Sequence, residues 1–236
     1  METKPQRQHS VERMRMSRDE LVERITRHVA EDSSVEAAPG LFLYRFSSPT
    51  GPRYGVTEPS FCVIAQGSKE VLLGKGRYRY DASHYLLVSA ELPVAGHIVA
   101  ASKEQPYLAV RLVLDPAVVT EVLIEAGLHA SGMDDAIKVM AVSRLDVSLL
   151  DAVVRVVRLL DSPGDYGVLA PLVAREIIYR LCLGEQGDRL RQIAVSGSRA
   201  HRIAKAIEFL RTNRKQPLSI ASLARQLGMS VSGLHH

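Results

Sequence analysis

Ser230, Ser232, His235 and His236 stand close together at the end of the printed sequence. Serine hydroxyls and histidine ring nitrogens can donate hydrogen bonds to base edges or phosphates in a DNA groove. On a helix, Leu234 would face inward, which leaves Ser232 and the two histidines on the opposite face. The chemistry that these residues could perform is recognition of double-stranded DNA.

Helical signals surround these residues. Ser219 can cap a short helix with apolar residues at helical spacing, and Gly228 supplies the left-handed residue that ends it. Ser230 can then cap a second helix. Helix, glycine turn and helix form the helix-turn-helix pattern, whose second helix enters the major groove. The pattern alone is equally compatible with an amphipathic helix pair that packs only on its own domain.

Positive charge is concentrated around this pattern. Residues 196–236 carry a net charge of +6 against +4 for the whole chain, so residues 1–195 sum to −2. A basic end of this kind is typical of a phosphate-binding segment, the alternative being a solvated basic surface. The candidates for phosphate contacts are Arg199, Arg202 and Arg225.

The length of 236 residues allows one large or two ordinary domains. No apolar run reaches the length of a membrane span, and the polar N-terminus lacks the apolar core of a signal peptide. Cys62 and Cys182 are far apart in apolar surroundings, which favours a reducing compartment over a disulfide framework. We therefore expect a cytoplasmic protein with no membrane partner.

Three further segments precede the basic end. Residues 1–40 are predicted to form a flexible arm, a helix capped by Ser17 and a linker. Residues 41–115 contain short apolar runs separated by glycine, proline and serine, which predicts an antiparallel barrel or sandwich. Residues 116–195 are predicted to be mainly helical. Apolar stripes at 149–160 and 169–181 exceed the cover that a small barrel needs and favour a homodimer, unless both helices pack only within the chain.

Several blocks of the sequence, in the right order, resemble AraC-type transcriptional regulators. SLARQLGMSVSGLHH resembles their first helix-turn-helix, and AIEFLR resembles the helix that opens that domain. EPSFCVIAQGSKEVLLG, YRYDASHYLLVSAELPVAG and PYLAVRLVLDP resemble the N-terminal effector domain of one subfamily. The resemblance extends from about residue 41 to the end, although the family usually has arginine where this chain has His236.

The resemblance implies an α+β fold. A cupin-like antiparallel β-barrel at 41–115 would be followed by a helical dimerisation region at 116–195 and a partial helix-turn-helix at 196–236. The implied partners are promoter DNA, an unknown small-molecule effector, a second copy of the chain and, for an activator, RNA polymerase. The family's module contains two helix-turn-helix units, so we expect the natural protein to continue beyond His236.

The predicted barrel offers a candidate effector pocket. Its candidate residues are Cys62, Tyr78, Tyr80, His84 and Tyr85. The cysteine is either a small core residue or a thiol that senses electrophiles or oxidants. The tyrosines either line the pocket or belong to an ordinary core, and the histidine either faces the lumen or simply lies on a strand face.

A metal-dependent enzyme is the competing class. Metal-binding cupins carry a His-x-His pair, but residues 41–83 contain no histidine, and His84, Glu91 and His97 form no such pair. The sequence therefore predicts no catalytic residues, no metal and no cofactor. The alternatives that stay open are a cupin-type small-molecule-binding protein or enzyme with a basic helical tail, and a pure interaction module.

Overall fold

The computed structural model describes residues 4–128 and 139–195, without the side chains of residues 4–7. The strands are β1 (Ser33–Ala38), β2 (Leu41–Phe46), β3 (Arg53–Thr57), β4 (Ser60–Gln66), β5 (Ser68–Leu73), β6 (Gly76–Asp81), β7 (His84–Val88), β8 (Leu92–Ala100), β9 (Tyr107–Val113) and β10 (Met140–Arg144). The helices are α1 (Lys4–His28), α2 (Pro116–Glu125), α3 (Val147–Arg158), α4 (Pro163–Leu183) and α5 (residues 187–195).

The strands form two antiparallel sheets, which confirms the predicted α+β class with an antiparallel β-fold. Sheet A has the strand order β1-β2-β9-β4-β7-β10, and sheet B has the order β3-β8-β5-β6. The β5–β6 hairpin turns at Gly74 and Lys75, and Gly74 adopts a positive φ of 55° there. The two sheets face each other, and the helices cover the outer face of sheet A.

Alternation along the strands divides sheet A into two faces. Phe61, Val63 and Leu87 belong to the large cluster shared with the helices. Their sequence neighbours Leu86 and Val88 belong to a second cluster, which sheet A shares with sheet B. Successive side chains of a strand point to opposite faces, so one sheet can contribute to both clusters.

The N-terminal segment differs from the prediction. Ser17 lies midway along α1 rather than at its start, so the predicted capping box and flexible arm are wrong. The first turn of α1 tolerates Pro5, and no glycine or later proline interrupts the helix before His28. Ser17 Oγ donates a hydrogen bond to Asp151 of α3 at 2.5 Å. Arg13 also pairs with Asp151, so the helix is held against α3 on both turns.

Sheet A extends beyond residues 41–115 in both directions. β1 occupies most of the predicted linker and pairs with β2, after a turn in which Gly40 has a φ of 74°. β10 pairs with β7, with Met140 opposite Val88 and Arg144 opposite His84. The barrel boundaries predicted from local strand signals therefore miss two edge strands of sheet A.

Aspartate side chains cap the starts of α2 and α3. Asp115 accepts a hydrogen bond from the Ala117 backbone NH, and Pro116 occupies the first position of α2. Asp146 caps α3 in the same way through the Leu149 NH. None of the described helices combines the length and apolar composition that crossing a membrane requires.

The two predicted apolar stripes have different surroundings. The α3 stripe is buried within the chain, against α1, α4 and sheet A. The α4 stripe is divided, because Val173, Ile177 and Leu181 are buried whereas Leu169 and Leu172 are exposed. Of these two helices, therefore, α4 is the one with large apolar side chains on its outer surface.

Candidate ligand site

A cavity of about 450 Å³ lies between sheet A and sheet B. Its apolar wall is formed by aliphatic side chains from both sheets. They are Val71, Leu86, Val88, Val94, Ile98 and Met140. Because these residues come from β5, β7, β8 and β10, the cavity is a product of the facing sheets and not of a single loop.

Strand β3 borders the cavity on its solvent side. Arg53, Tyr54 and Val56 line the cavity. β3 is an edge strand of sheet B, and Tyr54 is 87% exposed. The cavity is therefore accessible from solvent along this strand.

Three tyrosines bring polar groups to the cavity. Tyr80 and Tyr107 are buried and hydrogen-bonded to each other. Burial raises the pKa of both side chains well above the ordinary value, and the Cys62 thiol and the Tyr44 phenol act in the same direction. Burial also raises the pKa of Tyr44, against the opposing effect of Arg111. All three hydroxyls therefore stay neutral near pH 7.

Arg111 of β9 is held in one orientation. Its Nε donates to Tyr44 Oη at 3.1 Å, and its guanidinium carbon lies 4.1 Å from the centre of the Phe42 ring. Its Nη1 is 3.6 Å from Glu58 Oε2, which belongs to the β3–β4 connection and is largely exposed. A guanidinium fixed in this way is preorganised as a planar donor.

Lys69 of β5 brings a second cation to the same place. Its Nζ lies 5.8 Å from the centre of the Tyr44 ring. The glycine at position 96 leaves room for this side chain, because a Cβ there would stand 3.1 Å from Lys69 Cε. Burial lowers the pKa of Lys69, Cys62 opposes that effect and Arg111 adds to it. Within residues 4–128 and 139–195, no carboxylate forms an ion pair with Lys69.

Cys62 of β4 lines the cavity beside these cations. Its Sγ lies 4.0 Å from Ser60 Oγ, and it forms no disulfide. Burial raises the pKa of the Cys62 thiol, although Lys69 and Arg111 act in the opposite direction. The protonated thiol is therefore favoured at neutral pH, which suits a wall residue better than a reactive thiolate.

The predicted pocket residues fall into two groups. Cys62 and Tyr80 line the cavity, whereas Tyr78, His84 and Tyr85 do not. The Tyr85 ring packs edge-on against Phe61 on the helix side of sheet A. His84 is half-buried, with Nδ1 2.9 Å from Asp81 Oδ1. Tyr78 packs beside the cluster between the sheets without reaching the cavity.

Lys69 and Arg111 were not among the sequence-based candidates. Both stand within apolar strands, in the runs SKEVLL and YLAVRLV. A cation inside such a strand is a signal for a functional or paired residue, since lysine and arginine are rarely buried without a reason. The pairing of β2 with β9 also brings in Tyr44, which no local pattern distinguishes.

The predicted DNA-contacting residues lie outside the described part of the chain. This applies to Ser230, Ser232, His235 and His236 and to the three arginines Arg199, Arg202 and Arg225. Within the described residues, no group of three or more histidine, cysteine, aspartate or glutamate side chains could hold a metal ion. His97 instead lies beside Glu70, with 3.6 Å between Nε2 and Oε2.

A family model for the N-terminus of AraC-type transcriptional regulators matches residues 37–189. The match covers more than half of the chain and includes sheet B, all of sheet A except most of β1, and helices α2 to α4. The chain therefore belongs to the AraC-type transcriptional regulators. A search of the curated proteins found no matching sequence.

Solved structures show more distant similarity. An apo variant of ToxT from Vibrio cholerae is 8% identical, with 81% of this chain and 71% of that chain covered and a TM-score of 0.44. The AraC-like transcriptional activator CuxR is 13% identical, with coverages of 85% and 70% and a TM-score of 0.38. Vibrio cholerae ToxT with a bound unsaturated fatty acid is 13% identical, with coverages of 82% and 87% and a TM-score of 0.34.

Proposed function

We propose that this protein is a cytoplasmic, AraC-type DNA-binding transcription regulator whose cavity binds a small effector. Residues 196–236 would begin the helix-turn-helix that binds promoter DNA. The observation that carries the proposal is the solvent-accessible cavity of about 450 Å³ in a chain of this family. A cavity of that size, with apolar walls and a few convergent polar groups, suits one small molecule.

A route from the cavity to the DNA-binding segment passes through β10. Met140 lines the cavity, and Ser143 on the same strand donates to Glu185 Oε2 at 3.1 Å and accepts a hydrogen bond from Gln186. Ser89, which contacts Val139 just before β10, donates a hydrogen bond from its Oγ to Gln192 of α5 at 2.7 Å. These contacts join the cavity wall to the last helix before residue 196. An effector that favours one arrangement of β10 would therefore bias the segment that follows α5.

A homodimer is part of the proposal because α4 presents an apolar outer surface. Val168, Leu172, Tyr179 and Leu183 are exposed and recur at helical spacing along it. Exposed apolar helix faces of this extent usually meet a partner, and a two-fold axis would match paired half-sites in DNA. RNA polymerase would be a further partner if the regulator is an activator.

The test is DNA binding by the natural full-length protein. Fluorescence anisotropy with DNA from upstream of its own gene should show sequence-selective binding that weakens steeply with salt. Arg225→Ala should weaken binding to all sequences and lower the salt dependence by about one released ion. Lys75→Ala is the matched control, because it removes a cation from the exposed β5–β6 turn.

The outcome also decides between a DNA-binding regulator and the alternative class of protein. Selective, salt-sensitive binding that Arg225→Ala impairs and Lys75→Ala leaves unchanged would support the regulator. Absence of selective binding, with and without cell extract as a source of effector, would favour a cupin-type small-molecule-binding protein or enzyme.

A further inference from the structure

We propose that the cavity selects an organic anion, namely a small carboxylate whose charged group binds between Lys69 and Arg111. Its apolar body would lie against the aliphatic wall. This inference rests on the proposed function, because it names the ligand class of the same cavity.

The charge of the lining supports an anion. The charged residues that line the cavity are Arg53, Lys69 and Arg111, and none of the described lining residues is acidic. Buried cations are ordinarily paired, since removing a charge from water without a counter-ion is costly. A bound carboxylate would supply the counter-charge that Lys69 lacks among the described residues.

The two cations are arranged around one side chain. Arg111 donates to the Tyr44 hydroxyl, and Lys69 lies over the ring of the same tyrosine. The ring of Phe42, two residues before Tyr44 on β2, packs against the guanidinium of Arg111. Arg111 donates to Tyr44 through Nε, and its Nη1 lies 3.6 Å from the carboxylate of the exposed Glu58. Its terminal nitrogens can therefore still donate hydrogen bonds to a ligand. A fixed planar fork beside a point charge suits a carboxylate group.

The aliphatic wall of the cavity indicates what the uncharged part of the ligand should be. Leu86, Ile98 and Met140 form an aliphatic surface, and the neutral hydroxyls of Tyr80 and Tyr107 add only weak polarity. An ion surrounded by water, such as free phosphate, would leave this surface without contacts. A carboxylate with a hydrocarbon or aromatic body would bury apolar area and neutralise the cations together.

The experiment compares ligands that differ only in the polar group. Isothermal titration calorimetry on the 236-residue chain would use 4-phenylbutyrate, 4-phenylbutan-1-ol and 4-phenylbutylamine, and the octanoate, octanol and octylamine series. We expect each acid to bind about tenfold or more tightly than its alcohol, with the amine weakest, because a charge-assisted hydrogen bond exceeds a neutral one. Lys69→Met should reduce that preference, whereas Lys103→Met, at an exposed lysine in the β8–β9 loop, should leave it unchanged.

Folding provides an independent readout. Lys69→Met should unfold at the same or a higher temperature than the unchanged protein, because it replaces a buried unpaired cation with an apolar side chain. The inference is overturned if alcohols bind as tightly as acids, if Lys69→Met leaves the preference for acids unchanged, or if neither series binds. In the first two outcomes the cavity still binds a ligand and the proposed regulator stands, since DNA binding tests that function separately.

Discussion

The rings of Phe61 and Tyr85 pack edge-on, as a diagonal contact between β4 and β7, with ring centres 5.2 Å apart and planes inclined at 63°. The pair lies on the helix side of sheet A, within the large cluster. Burial raises the pKa of Tyr85 to about 12, so its hydroxyl stays neutral. The next residues along the two strands, Cys62 and Leu86, line the cavity. Sheet A therefore separates residues that hold the helices from residues that face a ligand.

Substitutions at neighbouring positions of β4 should have separate effects. Phe61→Ala should lower the free energy of unfolding by about 3–5 kcal/mol, because it removes a fully buried aromatic ring from the helix-side cluster. Cys62→Ala should cost much less stability and should instead change the affinity of a cavity ligand. Urea unfolding and calorimetric titration measure the two effects. Equal losses of stability would contradict the division of sheet A into two faces.

Acid should weaken the attachment of α1 through Glu20. Burial opposes ionisation of this carboxyl, but hydrogen bonds from Arg24 at 2.7 Å and Arg158 at 2.8 Å prevail and lower its pKa below the ordinary 4.5. A lowered folded pKa adds stability that is complete above pH 4.5 and is lost as the pH falls through the folded value. Acid unfolding should therefore begin below about pH 4.5.

Glu20→Gln isolates this contribution. The variant should unfold at a lower temperature than the unchanged protein at pH 7, and the difference should shrink as the pH falls below 4.5 and the Glu20 carboxyl becomes protonated. Glu23→Gln is the control, because Glu23 pairs with Arg27 of the same helix and both are exposed. A stability difference for Glu20→Gln that is independent of pH would show that the ion pairs with α3 contribute nothing.

The thiol of Cys62 should react slowly. In a Cys182→Ser variant, iodoacetamide at pH 7.5 should alkylate Cys62 more slowly in the folded chain than in urea, because burial raises the pKa of the thiol and limits access. Adding Lys69→Met should slow the folded reaction further, since the lysine favours the thiolate. Mass spectrometry gives both rates. Faster alkylation of the folded chain would restore the reading of Cys62 as a sensor of electrophiles.

Gly67 should be intolerant of a side chain. It connects β4 to β5 with a φ of 87°, and an added Cβ would lie 2.4 Å from the Ala100 carbonyl oxygen. Gly67→Ala should therefore lower the free energy of unfolding by about 2 kcal/mol or more. Gly164→Ala, in open space in the first turn of α4, should be neutral or stabilise by up to about 1 kcal/mol in the same urea titration.

Charge on the outer face of α4 should dissociate the proposed dimer. Leu172→Glu would place a carboxylate at a position that is 60% exposed in one chain and apolar in the proposed interface. Analytical ultracentrifugation should then find a monomer, while Val11→Glu, at an exposed position of α1, should leave the dimer intact. A monomeric unchanged protein would contradict the proposed dimer, and a dimer that survives Leu172→Glu would place the interface elsewhere.

Local signals were sufficient for most of the fold. Asp115–Pro116 and Gly74 mark element ends locally, because a helix cap and a turn glycine each act on their own neighbours. The helix start predicted at Ser17 was wrong, because a serine followed by a glutamate three residues later resembles a capping box wherever it stands. Only the contact with Asp151 of α3 shows that this serine serves a tertiary role in mid-helix.

The cavity depends on long-range pairing, which limited its prediction. Lys69 and Arg111 are 42 positions apart and meet because β5 and β9 lie in facing sheets. Tyr85 and Tyr80 looked equivalent as aromatic strand residues, yet strand register turns one towards the helices and the other towards the cavity. The α4 stripe posed a similar problem, since hydropathy alone does not distinguish a side covered by the chain from one left exposed.

The pairing of β10 with β7 has a practical consequence for dissecting the protein. β7 reads HYLLV, and β10 covers its outer edge although about 50 residues separate the two strands. A fragment that ends after β9 would leave this apolar strand with unsatisfied backbone groups, which is a template for intermolecular strand addition. Soluble expression of the cavity region should thus require a fragment that continues through Arg144, and shorter fragments should aggregate.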